Sequence, residues 1–257
     1  MKLIVNADDF ALTMGVTQGI IKGMKEGIIT DTSVLVNAKS FDESIHLAKE
    51  NGITSMGVHL TLTFSKPLLP RSKVKSLVDD HGDFFRKPHL IPKTYNQNEA
   101  YRELKTQIEK FLSTGMELNH LDTHHGFSAL DATMIEVVTG LAKEYNVPLR
   151  RDDLLSNDSE LIDLFLSSTA GTALTTDLYV LSGDEKQKQI ISILEKHEHT
   201  LDTVEIACHP GLVDEYLLSI SSLTYEREED LKAFVSEQVM AYVKDHQIEL
   251  IRYGELK

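Results

Sequence analysis

Short apolar runs alternate with longer segments of helical periodicity along most of the chain. The apolar runs predict strands at residues 3–6, 33–36, 56–60, 118–122, 147–150, 177–181, 204–208 and 249–251. The segments between them predict helices at residues 16–26, 41–50, 99–112, 132–145, 186–196 and 228–244. In the third helix the apolar side chains recur every three or four residues, which is the spacing of one buried helix face.

This alternation of strand and helix predicts an α/β protein with a parallel sheet and right-handed crossovers. Seven or eight such units in 257 residues indicate a closed barrel, with an open doubly wound sheet as the alternative. The sequence contains no internal repeat or linker that would mark a second domain, so we expect one domain over residues 1–257.

Two segments interrupt the alternation. Residues 63–98 contain Pro67, Pro70, Pro88 and Pro92 among scattered polar residues, and residues 212–225 are rich in Ser, Leu and Tyr. Each segment taken alone is equally compatible with a plain surface insertion. Both begin where a predicted strand ends, however, and long ordered loops at that edge are typically lids or binding loops. We therefore expect two lids.

The net charge of the chain limits the classes of binding partner that it can attract. The formal net charge of −14 disfavours nucleic acid and anionic membranes, which attract clusters of Lys and Arg. No stretch approaches the ~20 apolar residues of a membrane span, and the apolar run at the start is shorter than a signal-peptide core. Cys208 is the single cysteine, which excludes an intrachain disulfide and suits a reducing compartment. These features predict a cytoplasmic protein.

Titratable side chains collect at the predicted strand ends. Asp8 and Asp9 follow the first strand, His59 ends the third, His124 follows the fourth and His209 follows the seventh. Because the carboxyl ends of parallel strands converge on one face, we expect these side chains to share a site.

One carboxylate and two imidazoles can bind a divalent cation while leaving positions for water and substrate. Asp9, His59 and His124 fit that arrangement, and Asp8 would point elsewhere and accept a proton from water. Asp122 would orient a ligand imidazole from behind. The donor set suits magnesium, zinc or manganese, so the identity of the metal stays open.

Each residue also has a simpler interpretation. Asp8 and Asp9 could cap a helix, and His59 could be a hydrogen-bonded histidine at a barrel mouth. We expect His120, which lies in the fourth strand, and His125, which follows that strand, to take no part in the chemistry. Position at several strand ends together favours the metal site over these separate explanations.

Four motifs carry a family resemblance. They are Asn-Ala-Asp-Asp-Phe at 6–10, Gly-Val-His-Leu-Thr-Leu-Thr at 57–63, His-Leu-Asp-Thr-His-His at 120–125 and Cys-His-Pro-Gly at 208–211. Residues 225–228, Tyr-Glu-Arg-Glu, strengthen the match. In these motifs the chain resembles the YdjC-like family of carbohydrate deacetylases, whose best-known members remove N-acetyl groups from chitooligosaccharides.

The resemblance implies a distorted TIM-like barrel and the metal ligands named above. It also implies that Asp8 is the general base and His209 the general acid, and that Arg150 orients Asp8. The expected activity is metal-dependent hydrolysis of the N-acetyl group of a small amino-sugar oligosaccharide such as diacetylchitobiose, with release of acetate. Aromatic side chains of the two lids, namely Phe84, Phe85 and Tyr225, would stack on the sugar.

The chain departs from the family pattern at two places. Ala11 stands where the family usually has glycine after the two aspartates, which is compatible with the fold if its φ is negative. Gly126 follows His125 where the family continues with histidine, so the substrate preference could differ.

Two other functions compete with deacetylation. A glycosidase needs two carboxylates about 5 Å or more apart across the scissile bond, which Asp8 and Asp122 could supply without explaining the histidines. A metal-bound sugar sensor without turnover would need neither a base nor an acid. A symmetric homodimer is expected on general frequency alone.

Overall fold

The computed structural model describes residues 1–152, 159–168, 174–177, 183–199 and 203–256. The strands in these ranges are β1 (Lys2–Phe10), β2 (Asp31–Val34), β3 (Ser55–Leu60), β4 (Glu117–Thr123), β5 (Leu174–Asp177), β6 (Thr203–Cys208) and β7 (Glu249–Leu250). The α-helices are α1 (Met14–Glu26), α2 (Phe41–Glu50), α3 (Gln97–Leu112), α4 (Ala132–Tyr145), α5 (Ser159–Ser168), α6 (Gly183–His197), α7 (Glu215–Ile220), α8 (Glu226–Phe234) and α9 (Glu237–Asp245). No helix in the described ranges has the length and apolar character of a membrane span.

The chain forms two compact units, and the first contains residues 1–34, 39–54 and 173–257. Its central strand is β1, which pairs in parallel with β6 from Lys2 opposite Thr203 to Ala7 opposite Cys208. On the other edge of β1, β7 pairs with the beginning of the strand and β2 with its end. The run Leu3–Val5 is completely buried, as expected for a strand covered on both faces.

Helix α1 of the first unit packs closely on the loop after β6. Thr13 caps the beginning of the helix, since its side chain accepts a hydrogen bond from the amide of Val16. A Cβ at Gly19 would lie only 2.5 Å from Cα of Gly211. The absence of a side chain at Gly19 therefore permits close contact between this helix and the loop that carries His209.

The second unit contains residues 35–38 and 55–172. Strands β3 and β4 pair in parallel, with Ser55 opposite Glu117 and Leu60 opposite Thr123. Helix α3 anchors the beginning of segment 63–98 through the fully buried Glu103, whose two carboxylate oxygens accept the backbone amides of Leu68 and Leu69, each at 2.9 Å. This part of the expected lid is thus fixed to a helix.

The predicted α/β class with parallel strands is confirmed, and two helices match their predicted bounds, Phe41–Glu50 and Ala132–Tyr145. The predicted helix 228–244 is wrong, because the helical conformation is interrupted between α8 and α9. Ser236 caps α9 there, since its side chain accepts a hydrogen bond from the amide of Val239. The predicted strand 147–150 reduces to a single bridge between Leu149 and Leu121. Of the predicted strand 177–181, residues 178–181 lie outside the described residues.

Candidate active site

Strand β1 ends in a bulge that carries Asp8 and Asp9. Its register on β2 shifts between Ala7 and Phe10, and Asp9 has a left-handed backbone with a φ of 68°. A bulge of this kind re-aims side chains at the end of a regular strand. Both carboxylates are buried, and the cap of the following helix is Thr13. The helix-cap interpretation of the two aspartates is therefore not needed.

Ala11 has a φ of 72°, so the condition of a negative φ at this position is not met. The left-handed region costs an L-residue about 1–2 kcal/mol, because Cβ approaches the following carbonyl oxygen. The amide of Ala11 donates to Oγ1 of Thr17 at 3.2 Å, which is one contact that holds the turn. The turn after the two aspartates is therefore locally strained.

Arg227, near the beginning of α8, binds Asp9. Its Nη2 donates to Oδ2 of Asp9 at 2.7 Å, and its Nε donates to the carbonyl of Leu223 at 3.1 Å. Both side chains of the ion pair are buried. The sequence indicated Arg227 only as part of a motif, and nothing in its spacing linked it to Asp9. The guanidinium fixes the orientation of the carboxylate through one of its oxygens.

Asp8 and His209 come together in the first unit, as predicted from their strand ends. The Nε2 atom of His209 lies 4.0 Å from Oδ2 of Asp8, and Oδ1 of Asp8 accepts a hydrogen bond from Nδ2 of Asn6 at 2.9 Å. The side chain of His209 is 41% exposed, whereas that of Asp8 is buried. A carboxylate and an imidazole at this distance can serve one reacting group from two directions.

In the second unit, Asp122 is the centre of a buried charged cluster. Its Oδ1 accepts Nδ1 of His59 at 2.8 Å, and its Oδ2 lies 3.1 Å from Nη1 of Arg150. The Nε2 atom of His120 is 3.8 Å from the same Oδ2. His120, expected to take no part, thus lies against the carboxylate that holds His59, and Arg150 contributes an ion pair to it.

The electrostatics of this cluster define the tautomer of His59. Burial alone would raise the pKa of Asp122, but the charges of His59 and Arg150 hold that pKa well below its usual range. An ionised Asp122 can only accept, so Nδ1 of His59 carries a proton whether the ring is charged or neutral, and in the neutral ring Nε2 presents its lone pair. This is the arrangement of a metal-binding histidine that is oriented by a carboxylate.

The ring nitrogens of His59 and His124 face each other. Nε2 of His59 lies 3.2 Å from Nδ1 of His124, and the two rings meet edge to face. Two nitrogens that each lie about 2.0–2.1 Å from one ion are about 3 Å apart when the angle between the two nitrogen–metal bonds lies between the octahedral and the tetrahedral value. The spacing of these two imidazoles therefore fits two ligands of one metal ion.

The loop after β4 is tied down by Asp152. Oδ2 of Asp152 accepts the hydroxyl groups of Thr123 at 2.5 Å and Ser128 at 2.8 Å, on either side of the turn. Within that turn His125 and Gly126 both have positive φ values, 62° and 61°. Burial raises the pKa of Asp152 to about 7, against the opposing effects of Arg150 and the two hydroxyl groups. The clamp fixes the backbone that carries His124.

The aromatic side chains expected to stack on a sugar differ in exposure. Phe84 is 3% exposed and its amide donates to the carbonyl of Ser65, so its predicted role as a stacking platform is wrong. Phe85 is half-buried, and Tyr225 is 63% exposed. Phe84 therefore belongs to the core of the second unit, and a ring buried in this way cannot reach a ligand.

Acidic and histidine side chains that could hold a metal ion, most of them buried, are present in the described part of the chain. These groups stand at the carboxyl ends of parallel strands, which is where α/β enzymes of the barrel class place their chemistry. The chain belongs to the YdjC-like family, because the model of the YdjC-like protein matches residues 2–245.

Relatives extend this assignment over the full length. The chain is 34% identical to a carbohydrate deacetylase of Clostridium beijerinckii over 256 residues, with 100% of both chains covered. It is also 34% identical to carbohydrate deacetylases of Brevibacillus brevis and Listeria monocytogenes, again with full coverage of both chains. Removal of acetyl groups from sugars is thus the activity for which these relatives are named.

Solved structures support the fold. A crystal structure of an Enterococcus faecalis protein, provisionally named a cellobiose-phosphate cleavage protein, matches with a TM-score of 0.88 at 32% identity, covering 98% of this chain and 97% of that one. The lactam utilization protein of Thermus thermophilus matches with a TM-score of 0.55 at 13% identity, covering 97% and 99%, and shares the fold alone. The predicted fold class, a distorted TIM-like (β/α) barrel, is confirmed.

Proposed function

We propose that this protein is a metal-dependent carbohydrate deacetylase that removes the N-acetyl group from a small amino-sugar oligosaccharide such as diacetylchitobiose. The proposal is supported by three relatives named carbohydrate deacetylase that match the chain from end to end. The observation that carries it is the pair of imidazoles on His59 and His124, whose nitrogens are 3.2 Å apart.

Asp9, His59 and His124 are the proposed ligands of one divalent cation, either magnesium or zinc. Asp122 supports this assignment, since it holds His59 in the tautomer that binds metal. Arg227 supports it from the side of Asp9, because a fixed carboxylate loses less rotamer freedom on binding a ligand. A divalent cation would supply a Lewis acid that polarises a carbonyl group and acidifies water.

The residues of the chain divide the remaining chemistry. Asp8 accepts a proton from the attacking water, whose oxygen forms the new bond to the acetyl carbon. His209 donates a proton to the nitrogen of the amide as its bond to that carbon breaks. The products are acetate, whose second water-derived proton is lost to solvent, and a sugar with a free amine. Transfer of the proton from Asp8 to His209 restores both groups. Tyr225 offers its exposed ring to the sugar, as aromatic side chains do at carbohydrate sites.

The state of Asp122 argues against its use as the general acid of a glycosidase. The general acid of such an enzyme needs a raised pKa, so that it stays protonated near neutral pH. The pKa of Asp122 lies well below its usual range because of His59 and Arg150, with burial opposing them. Asp122 is therefore suited to orient a ligand and unsuited to protonate a leaving group.

Replacement of Asp8 by asparagine tests the assignment against a sugar sensor. We expect Asp8→Asn to bind metal as the wild type does and to release acetate about 10²–10⁴-fold more slowly, which is the usual contribution of a general base. Asp80→Asn, which makes the same change on a fully exposed side chain, is the matched control and keeps full activity. Unchanged turnover in Asp8→Asn would remove the base from the mechanism.

A further inference from the structure

His209 carries its imidazole on a loop that offers it little side-chain packing. The preceding residue, Cys208, is fixed in β6, where it pairs with Ala7, whereas the ring of His209 is 41% exposed. The following residue, Pro210, has no amide hydrogen to anchor the loop. The loop is also held by the amide of Gly211, which donates to the carbonyl of Arg227 at 3.1 Å, so the backbone amide of His209 is the attachment nearest to the ring.

That amide donates to a buried carboxylate. Oδ2 of Asp230, on α8, accepts it at 2.9 Å, while Oδ1 of Asp230 lies 2.7 Å from Nζ of Lys186, on α6. The side chains of Lys186 and Asp230 are only 4% and 8% exposed. One carboxylate thus joins the loop of His209 to two helices of the first unit.

A buried ion pair of this kind is a weak source of stability. Removing two charges from water costs several kcal/mol per ion, and apolar side chains of similar volume often stabilise a protein equally well. The division of the two oxygens of Asp230 between Lys186 and His209 instead gives a defined geometry. It sets the backbone from which the ring of His209 reaches Oδ2 of Asp8 at 4.0 Å.

On the basis of the proposed function, we propose that Asp230 is a positioning residue that aims His209 at the leaving nitrogen, and that Lys186 holds Asp230 in place for this purpose. The role is specific to one step. An amine departs from carbon only when its nitrogen is protonated, whereas the anion of 4-nitrophenol departs without a proton. Misplacement of His209 should therefore slow amide hydrolysis and spare hydrolysis of an activated ester.

The test compares two substrates, diacetylchitobiose and 4-nitrophenyl acetate, for the variants Asp230→Ala and Lys186→Met. Alanine is chosen because asparagine would keep an oxygen that can accept the amide of His209. We expect kcat for the sugar to fall about 10-fold or more in both variants, as small misplacements of catalytic groups do. Turnover of the ester should stay within about twofold, since no proton donor is required. Lys232→Met is the matched control, because it breaks an exposed ion pair of the same helix, and it should leave both rates unchanged.

Two further variants exclude a general loss of structure. Asp230→Ala combined with His209→Gln should be no slower on the sugar than His209→Gln alone, because both changes affect one proton transfer. If Lys186→Met fails to fold because Asp230 is left as an unpaired buried charge, the double variant Lys186→Met/Asp230→Ala removes that charge and is measured instead. Metal content, measured by elemental analysis, should equal that of the wild type in every case.

Equal loss on both substrates, or no loss on the sugar, would overturn the positioning role of Asp230. So would an additive effect of Asp230→Ala in the His209→Gln background. These outcomes are distinct from failure of the proposed function. In that case the metal-loaded wild type itself would release no acetate from diacetylchitobiose or from longer and monomeric N-acetyl sugars.

Discussion

Replacement of Gly57 by alanine places a methyl group against the ring of His120. Strand β4 bulges here, because Met56 pairs with Leu118 and Val58 with Leu121, which leaves Asn119 and His120 opposite the single residue Gly57. A Cβ on Gly57 would lie 2.3, 2.4 and 2.6 Å from three atoms of the imidazole. Those distances are far below van der Waals contact, so the ring or the strand must move.

The ring of His120 has little freedom to move. It is completely buried, and its Nδ1 lies 2.7 Å from Oδ1 of Asn119. Overpacking costs about 1–3 kcal/mol, and a buried hydrogen bond left unmade costs a similar amount. Alanine recovers about 0.5–1 kcal/mol of backbone entropy relative to glycine. We therefore expect Gly57→Ala to lower the free energy of unfolding by about 2–4 kcal/mol.

Urea unfolding followed by circular dichroism measures this change, with Gly140→Ala as the matched control. Gly140 lies in α4 with nothing within 4 Å of an added Cβ, so alanine there should stabilise the protein by about 0.5–1 kcal/mol. Displacement of His120 should also disturb Asp122 and weaken metal binding by about 10–100-fold. A Gly57→Ala variant within about 0.5 kcal/mol of the wild type would refute the reasoning, because such a clash cannot be so inexpensive.

Two further predictions concern backbone strain and pH. Ala11→Gly should raise the free energy of unfolding by up to about 1 kcal/mol, because it removes the strain of a left-handed alanine at a φ of 72°. A lower free energy of unfolding than that of the wild type, measured in urea, would contradict this. Burial raises the pKa of Asp152 to about 7, so the folded protein binds more protons than the unfolded chain between the ordinary pKa of 3.8 and that value. The stabilisation from protonated Asp152 is complete below the unfolded pKa and is lost as pH rises through about 7, at up to about 1.4 kcal/mol per pH unit. The free energy of unfolding of the wild type minus that of Asp152→Asn should therefore fall from pH 5 to 7. A difference that stays constant or rises with pH would contradict this expectation.

The sequence predicts those features of the structure that depend on a short window of neighbouring residues. Strand ends followed by Asp8, Asp9, His59 or His209 could be read from apolar runs, and the structure has each at the end of a strand or directly after it. Helices with a continuous apolar face, such as Ala132–Tyr145, were predicted to the residue. These features depend on periodicity and on residue type, which are properties of a short window.

The supporting residues could not be found in this way. Arg227 and Asp9 are 218 residues apart, and the carboxylate of Asp230 binds a backbone amide, for which any residue but proline would serve. The bulge opposite Gly57 depends on pairing between two strands, which periodicity within one strand does not reveal. The break between α8 and α9 was missed because Ser236 lies within an otherwise helical pattern and acts as a cap.

Acetate release from diacetylchitobiose, measured before and after chelation and with magnesium or zinc added back, tests the central claim most directly. We expect release by the purified protein, loss of that release on chelation, and recovery with one added metal. The account would be contradicted by release that chelation leaves unchanged, or by metal-loaded protein that releases no acetate from any N-acetyl sugar supplied.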